Sequence, residues 1–299
     1  MTIQERIQDL KREKNGVILA HNYQLPEIQD VADYVGDSLE LSKIAAKVDA
    51  DLIVFCGVRF MAETAKILSP QKTVLMPDYG AICPMAAMID GNIIRELRKK
   101  HPDAIFVAYV NTTAEVKAEI DICCTSANAV RLVRDLPRDK EVVFLPDKNL
   151  GKYVRHETGR KIHIYEGFCP THVRILKEDI LLARDKWPNA LVVAHPECNP
   201  DVLELADHIA STSGMTRFAQ KSDATEFIIA TEQGMIHRLE QDVPGKKYHT
   251  PSELNICPNM KKTTIAKLLH SLETGTIEIT VPEDIAKRAV KSLEHMLVS

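Results

Sequence analysis

At 299 residues with a formal net charge of −4, the chain has neither the basic face of a nucleic-acid binder nor the charge that holds a protein at an anionic membrane surface. Its composition, 45% apolar and 27% charged, is that of an ordinary globular protein, and its apolar runs, such as Leu52 to Cys56, are strand-length and too short to span a bilayer. The opening Met1-Thr-Ile-Gln-Glu-Arg lacks the apolar stretch of a signal peptide, so a cytoplasmic protein is expected, whose seven cysteines are metal ligands, catalytic groups or core fillers rather than disulfides.

Residues 3 to 14 carry Ile3, Ile7 and Leu10 at helical spacing and predict a leading amphipathic helix. Val17-Ile-Leu-Ala-His-Asn-Tyr23 is an apolar run with a polar end, the pattern of a buried parallel strand whose C-terminus reaches a ligand. A helix is expected from Pro26 to Tyr34, a tight turn at Gly36-Asp-Ser38, and a helix from Leu39 to Val48. Leu52 to Gly57 is a second strand, Phe60 to Leu68 a helix, and Thr73 to Pro77 a third extended segment leading to Cys83. A helix from Met85 to His101 carries the chain away.

The same series then recurs twice. Ile105 to Asn111 is a strand with a polar end, Ala114 to Glu119 a helix, and Asp121 to Ser126 runs into a helix through Asn128 to Asp135. Glu141 to Pro146 is a strand, a helix follows Asp147-Lys-Asn-Leu-Gly to Glu157, and Lys161 to Tyr165 leads to Cys169 before a helix from Arg174 to Trp187. In the third pass Ala190 to Glu197 is the strand with the polar end, Pro200 to Ala206 a helix, and His208 to Thr212 the counterpart of Ile122 to Ser126. Glu226 to Thr231 is a strand, Met235 to Gln241 a helix, Lys247 to Thr250 leads to Cys257, and helices from Thr263 to Leu272 and Pro282 to Leu297 close the chain.

The phase is tight. Ala20, Ala108 and Ala194 are 88 and 86 residues apart, as are Ser38, Ser126 and Thr212; Cys83, Cys169 and Cys257, each followed by Pro, are 86 and 88 apart. Three signals with one period indicate triplication of one βα unit. The expected fold class is α/β: three similar three-layer α/β/α sandwich domains with parallel sheets around a pseudo-threefold axis, as units 1–95, 96–183 and 184–299.

One such cysteine alone reads as a buried structural residue. Three at one repeat phase argue for thiolates converging on a soft metal or an iron–sulfur cluster, with zinc left open by the spacing. Beyond the strand ends should lie His21, Asn22, Tyr23, Tyr109, Asn111, His195 and Glu197, a set able to move protons. Ser38, Thr125, Ser126, Ser211 and Thr212 stand where helices begin, as caps or as part of an anion cradle. Cys56, Cys123 and Cys124 read as core fillers, Cys198 as a weaker metal candidate, and Lys148 as surface or cap.

Ala20-His-Asn-Tyr-Gln-Leu-Pro-Glu27, Gly36-Asp-Ser38, Phe60-Met-Ala-Glu-Thr-Ala65, Tyr109-Val-Asn111, Thr125-Ser-Ala-Asn-Ala129, Pro146-Asp-Lys-Asn-Leu150, His195-Pro-Glu-Cys198 and Ser211-Thr212 closely resemble the quinolinate synthase family, in order and over nearly the whole chain. The resemblance implies an enzyme of de novo NAD biosynthesis that condenses iminoaspartate with dihydroxyacetone phosphate to quinolinate, phosphate and two waters. It implies a [4Fe–4S] cluster on Cys83, Cys169 and Cys257 with one open iron. Substrate would be held by His21, Ser38, the segment Tyr109, Val110 and Asn111, Ser126, the segment His195, Pro196 and Glu197, and Thr212. Tyr23, His21, Tyr109, His195 and Glu197 would be catalytic, with Tyr23 as proton shuttle and Glu197 as general acid/base. L-aspartate oxidase or aspartate dehydrogenase would supply the imine; no nucleic-acid or membrane partner is implied. The chain departs from the family pattern at Thr171, where an apolar residue is expected, and at Thr112, where serine is usual. Two other readings fit the residues: another [4Fe–4S] hydro-lyase, and a non-catalytic zinc-containing phosphometabolite-binding protein.

Overall fold

The computed structural model describes residues 2–298. Among these residues, twelve strands form three four-stranded parallel sheets of identical topology. Gly16–His21 (β1), Tyr34–Gly36 (β2), Leu52–Cys56 (β3) and Thr73–Leu75 (β4) make the first, in the order β2-β1-β3-β4. Ile105–Tyr109 (β5), Ile122–Cys124 (β6), Val142–Leu145 (β7) and Ile162–Ile164 (β8) repeat that order, and so do Leu191–Ala194 (β9), His208–Ile209 (β10), Glu226–Ala230 (β11) and Lys247–His249 (β12). The chain is therefore α/β, with helices flanking three parallel sheets, as the threefold period predicts. The apolar runs form central strands because both faces are covered: β3, β7 and the last four residues of β5 are buried throughout.

The repeat extends to single hydrogen bonds. Asp33, Asp121 and Asp207 precede the short edge strands β2, β6 and β10. Each accepts, through its carboxylate, the backbone N–H of the residue fifteen positions earlier on the central strand (Ile18, Phe106, Val192), at 2.8 Å in every case. A cation from the helix before each central strand closes the lock: Lys11 Nζ at 2.6 Å, and Arg98 and Arg184 Nη2 both at 2.9 Å.

The sequence-based elements need adjustment in several places, among them the helix from Pro200, which ends at Leu203 rather than Ala206. The helix beginning at Pro26 stops at Val31, because Tyr34–Gly36 pairs with β1 as an edge strand. The helix expected over Met85 to His101 is two elements, a short 3-10 turn at Ala86–Met88 and a helix at Gly91–Lys100, which restarts where the Asp90 side chain accepts the Ile93 N–H. The region from Arg174 divides in the same way, into His172–Arg174 and Lys177–Lys186. In the second unit the helix begins at Ala129, leaving Ser126 in the preceding turn.

One core runs through all three sheets, from Leu19 and Ile53 through Val107 and Phe144 to Phe227 and Ile229. Two satellites cover outer faces: Ile7 and Leu10 of the first helix with Leu268 and Leu272 on sheet one, and Ile180 and Val202 on sheet three. After the helix Ile265–Thr274, Ile277 and Ile279 exchange backbone hydrogen bonds with Met76 and Val74 at the β4 edge. The helix Glu283–Val298 then packs on Ala114–Glu119 and β6. There Ser292 Oγ donates to Lys117 O at 2.9 Å. No described helix is long and apolar enough to cross a membrane.

Candidate active site

Each sheet's last strand leads into a turn that carries one of the three cysteines. The turns are pinned alike: Arg59, Lys148 and Gln233 donate their backbone N–H to the carbonyls of Ala81, Gly167 and Asn255, at 2.9, 2.8 and 2.9 Å. Gly167 is required there, because a Cβ would lie 2.5 Å from Pro146 O. A 3-10 turn follows every Cys-Pro pair, at Ala86–Met88, His172–Arg174 and Met260–Lys262. Its N–H groups point back at the sulfur: Met85 and Ala86 at Cys83, His172 at Cys169, Asn259 and Met260 at Cys257.

All three cysteines line one cavity of about 660 Å³ including its mouth, together with His21, Tyr23, Tyr109, His195 and Glu197. Burial pushes the Cys83 thiol up to about 12 and raises those of Cys169 and Cys257, so a bare thiolate is disfavoured. A bound metal reverses that preference, since coordination deprotonates a thiol outright. Three thiols from equivalent turns, each facing backbone N–H groups, fit a thiolate-ligated metal group. A hydroxyl from Thr171 reaches Cys257 as well.

The polar strand ends repeat one device. The N–H of Tyr23 donates to His21 Nδ1 at 3.1 Å, and that of Glu197 to His195 Nδ1 at 3.3 Å. Each imidazole thus presents Nε2–H to the cavity, and that of His195 meets Ser126 Oγ at 3.2 Å. Burial drives both histidines down to about 3, so they are neutral donors at physiological pH.

Glu197 is 3% exposed, and burial alone would raise its carboxyl. His172 at 2.7 Å, with a hydrogen bond from Tyr109, outweighs burial and holds it well below the usual carboxylate range. His172 Nε2 lies 2.8 Å from Thr231 Oγ1, which lies 2.6 Å from the Tyr23 hydroxyl. A hydrogen-bonded chain, Tyr23–Thr231–His172–Glu197–Tyr109, therefore crosses the cavity from the first unit to the second. Burial, then the Glu197 charge, keeps both tyrosines protonated. The His172 and His195 rings stack 4.7 Å apart.

The helices bring hydroxyls to the same place. Asp37 and Ser211 are the caps of Ser38–Lys47 and Thr212–Lys221, which puts Ser38 and Thr212 at the first helical positions, lining the cavity. Thr212 Oγ1 accepts a bond from Asn22 Nδ2 at 2.8 Å. Asn111 and Ser126 also line the cavity; Val110 and Pro196 do not. Val110 acts through its carbonyl, which accepts a 2.8 Å bond from buried Lys117, and the same ammonium takes Thr112 O. Pro196 lies in a neighbouring groove with Ser126 and Ser211. Cys198 does not line the cavity: it is fully buried in the third core, with its S–H on Ala230 O at 3.3 Å. Cys56, Cys123 and Cys124 are buried strand residues, as read. Lys148 is the first residue of its helix, and the capping is done by Asp147.

Sequence reasoning missed His172, Thr231 and Glu232. The repeat phase could have pointed to Glu232, whose partner in the second unit is Asp147: these acids accept the N–H of Cys257 and Cys169, both at 3.1 Å. It could not have pointed to His172, whose counterparts are Ala86 and Met260.

The sequence profile of the family described as "Quinolinate synthetase A protein" matches residues 5–298. "Quinolinate synthase 1" of Methanosarcina acetivorans is 55% identical over 293 residues, covering 98% of this chain and 96% of that one. "Quinolinate synthase" of Methanoregula boonei is 54% identical over 295 residues, covering 99% and 97%, and that of Desulforudis audaxviator is 52% identical over 291 residues, covering 97% and 96%.

Proposed function

The chain belongs to the quinolinate synthase family, and we propose that it condenses iminoaspartate with dihydroxyacetone phosphate to give quinolinate, phosphate and two waters in NAD biosynthesis. The observation that carries this reading is the meeting of three phase-matched thiols with the Tyr23–Thr231–His172–Glu197–Tyr109 chain in one cavity. Units 1–95, 96–183 and 184–299 each contribute one cysteine and one polar strand end. We place the enzyme in the cytoplasm, downstream of L-aspartate oxidase or aspartate dehydrogenase.

Cys83, Cys169 and Cys257 would hold a [4Fe–4S] cluster, which supplies an iron with no protein ligand as a Lewis acid for hydroxyl and carboxylate oxygens. Ser38, Ser126 and Thr212, with the helix N-termini beneath Ser38 and Thr212, bind carboxylate and phosphate. Neutral His21 and His195 donate Nε2–H to substrate oxygens without adding charge. Asn111 orients the bound substrate from the second unit. Glu197, ionised and aligned by His172, accepts a proton from substrate carbon. Tyr23 and Tyr109 return protons to departing or newly formed hydroxyls, with Thr231 passing the proton between Tyr23 and His172. Val58, Phe60, Met61 and Met260 line the remaining wall and exclude water.

Anaerobic purification, iron analysis and product detection test this. A brown protein with about four irons per chain that forms quinolinate from the two substrates is expected, with Cys83→Ala, Cys169→Ala and Cys257→Ala each losing iron and activity. A colourless protein that forms no quinolinate overturns it. One observation favours a zinc-holding protein instead: donor atoms of Cys169, His172 and Glu197 lie within 4.8 Å of one another. Stoichiometric zinc without iron in the anaerobic protein would establish that reading.

A further inference from the structure

At the other end of the second sheet, away from the cysteines, three side chains from three elements converge. His101 caps the C-terminus of the helix Gly91–Lys100, Glu141 directly precedes β7, and His163 is the middle residue of β8, in register with Val143. His101 Nδ1 lies 3.0 Å from Glu141 Oε2, and His163 Nε2 lies 2.5 Å from Glu141 Oε1. One donor atom of each lies within 4.8 Å of the others. The two ring centroids lie 4.3 Å apart, with the planes tilted 47° to each other. The His101, His163 and Glu141 side chains are 21%, 38% and 38% exposed, so solvent reaches the cluster.

The threefold repeat supplies an internal control. In the third unit the same register positions hold Glu226 and His249, and the helix-capping position holds Trp187. His249 Nε2 lies 2.8 Å from Glu226 Oε1, and the Trp187 ring lies flat on His249 at 4.0 Å and 6°. In the first unit the corresponding residues are Leu52 and Leu75. Packing at this position is thus satisfied by an indole over a carboxylate-held imidazole. The second unit replaces the indole with a ring that carries a second ligand nitrogen and turns it to the same carboxylate.

We propose that His101, Glu141 and His163 bind a divalent transition-metal ion of the zinc type. Imidazole and carboxylate are its preferred donors, and three protein ligands with a solvent-facing fourth position is a common coordination. The C-terminal end of the helix Gly91–Lys100 adds a favourable dipole. The ion would tie a helix end to two strands at an exposed sheet edge, far from the cavity and independent of the reaction assigned to it.

The test is calorimetric titration of the purified protein with Zn²⁺, beside His101→Trp, His163→Ala and Glu141→Gln. Every variant keeps all seven cysteines, so zinc taken up by thiols is common to all and cancels. Wild type should bind one more zinc than His101→Trp or His163→Ala, or bind that ion at least tenfold tighter, with quinolinate formation unchanged among them. His101→Trp installs the third unit's own residue and keeps the stacking, so a folded variant is secured. Equal isotherms for wild type and His101→Trp overturn the proposal. A second readout is the ring proton resonances of His101 and His163 in wild type: both should shift with one equivalent of zinc, and unmoved signals also overturn it.

Discussion

The Cys169 and Cys257 corners are built to one plan and differ in what stands behind and beside the thiol. Behind each, a buried acid accepts the cysteine N–H at 3.1 Å. Asp147 has no ion-pair partner among the described residues: it takes the N–H groups of Leu150 and Cys169, and burial followed by the charge of Glu197 drives its carboxyl well up. Glu232 is raised by burial too, but Lys261 at 2.9 Å opposes that and holds it in an ion pair. Beside the thiol, three residues on, stand His172 in one corner and Met260 in the other, with Ala86 at Cys83. The fold thus makes three equivalent seats for a thiol and spends only one of the three neighbouring positions on a titratable group. Triplication supplies three matched thiols, and a single departure sets one titratable ring beside them.

The largest expected effect comes from erasing that departure. His172→Met gives the Cys169 corner the residue of the Cys257 corner. It should keep iron, since the thiols and their backbone donors remain, while kcat falls by roughly 10²–10⁴, the usual worth of a general acid–base group. Iron content and steady-state rates check it; full activity would show that the two corners are interchangeable. Thr231→Val interrupts the same chain one step earlier and should lower kcat by less, about tenfold for a hydrogen bond worth about 1.4 kcal/mol.

Next in size is the loss of the paired acid. Glu232→Ala leaves the Lys261 ammonium, which also donates to Tyr23 O at 2.6 Å, without its counter-charge. Removing one partner of a buried pair costs about 3–5 kcal/mol, read from the urea midpoint. A cost no larger than that of the Asp147 substitution below would break the distinction between the corners.

The cavity's neutral histidines give a smaller, pH-dependent effect. His21 and His195 fall from 6.5 to about 3 on burial, with Glu197, His172 and, for His21, Lys261 facing them. Between those pH values the unfolded chain binds protons that the folded chain does not, so stability rises with pH through that window and is fully present above 6.5. Glu197, held low, works in the same sense below its ordinary value of 4.5. Wild type should therefore lose more stability than His195→Asn between pH 7 and pH 5. Identical losses would mean that His195 is charged in the folded protein.

Much of this was legible in the sequence because burial on both faces writes long apolar runs: β1, β3, β5, β7, β9 and β11 all stand in such runs. The common phase of the cysteines, alanines and hydroxyls exposed the triplication. One edge strand of each sheet was not legible. β2, β6 and β10 have only three, three and two residues, and Tyr34 in β2 is 43% exposed, so neither alternation nor a full apolar run marks them. Met85-Ala-Ala-Met88 has a helix former's composition, and only the Asp90 cap, acting through tertiary context, splits the helix there. His172 stayed hidden because a repeat reveals what its copies share, and His172 is what they do not. The His101–Glu141–His163 cluster needs the β7–β8 register before its members become neighbours.

The smallest expected effect sharpens the comparison most. If burial keeps Asp147 protonated, as its lack of an ion-pair partner among the described residues argues, then its acceptor oxygen serves Leu150 and Cys169 much as a side-chain amide oxygen would. Asp147→Asn preserves that oxygen and removes no charge, so the cost should stay within about 1 kcal/mol, that of one altered neutral hydrogen bond. Glu232→Gln removes a real charge and exposes Lys261 to the full desolvation of an unpaired ammonium, so its cost should be severalfold larger. Urea denaturation of the two variants side by side measures the difference. If Asp147→Asn proves the more damaging, the Cys169 corner carries an ionised carboxylate after all, stabilised by backbone N–H groups alone, and the two corners share one electrostatic design.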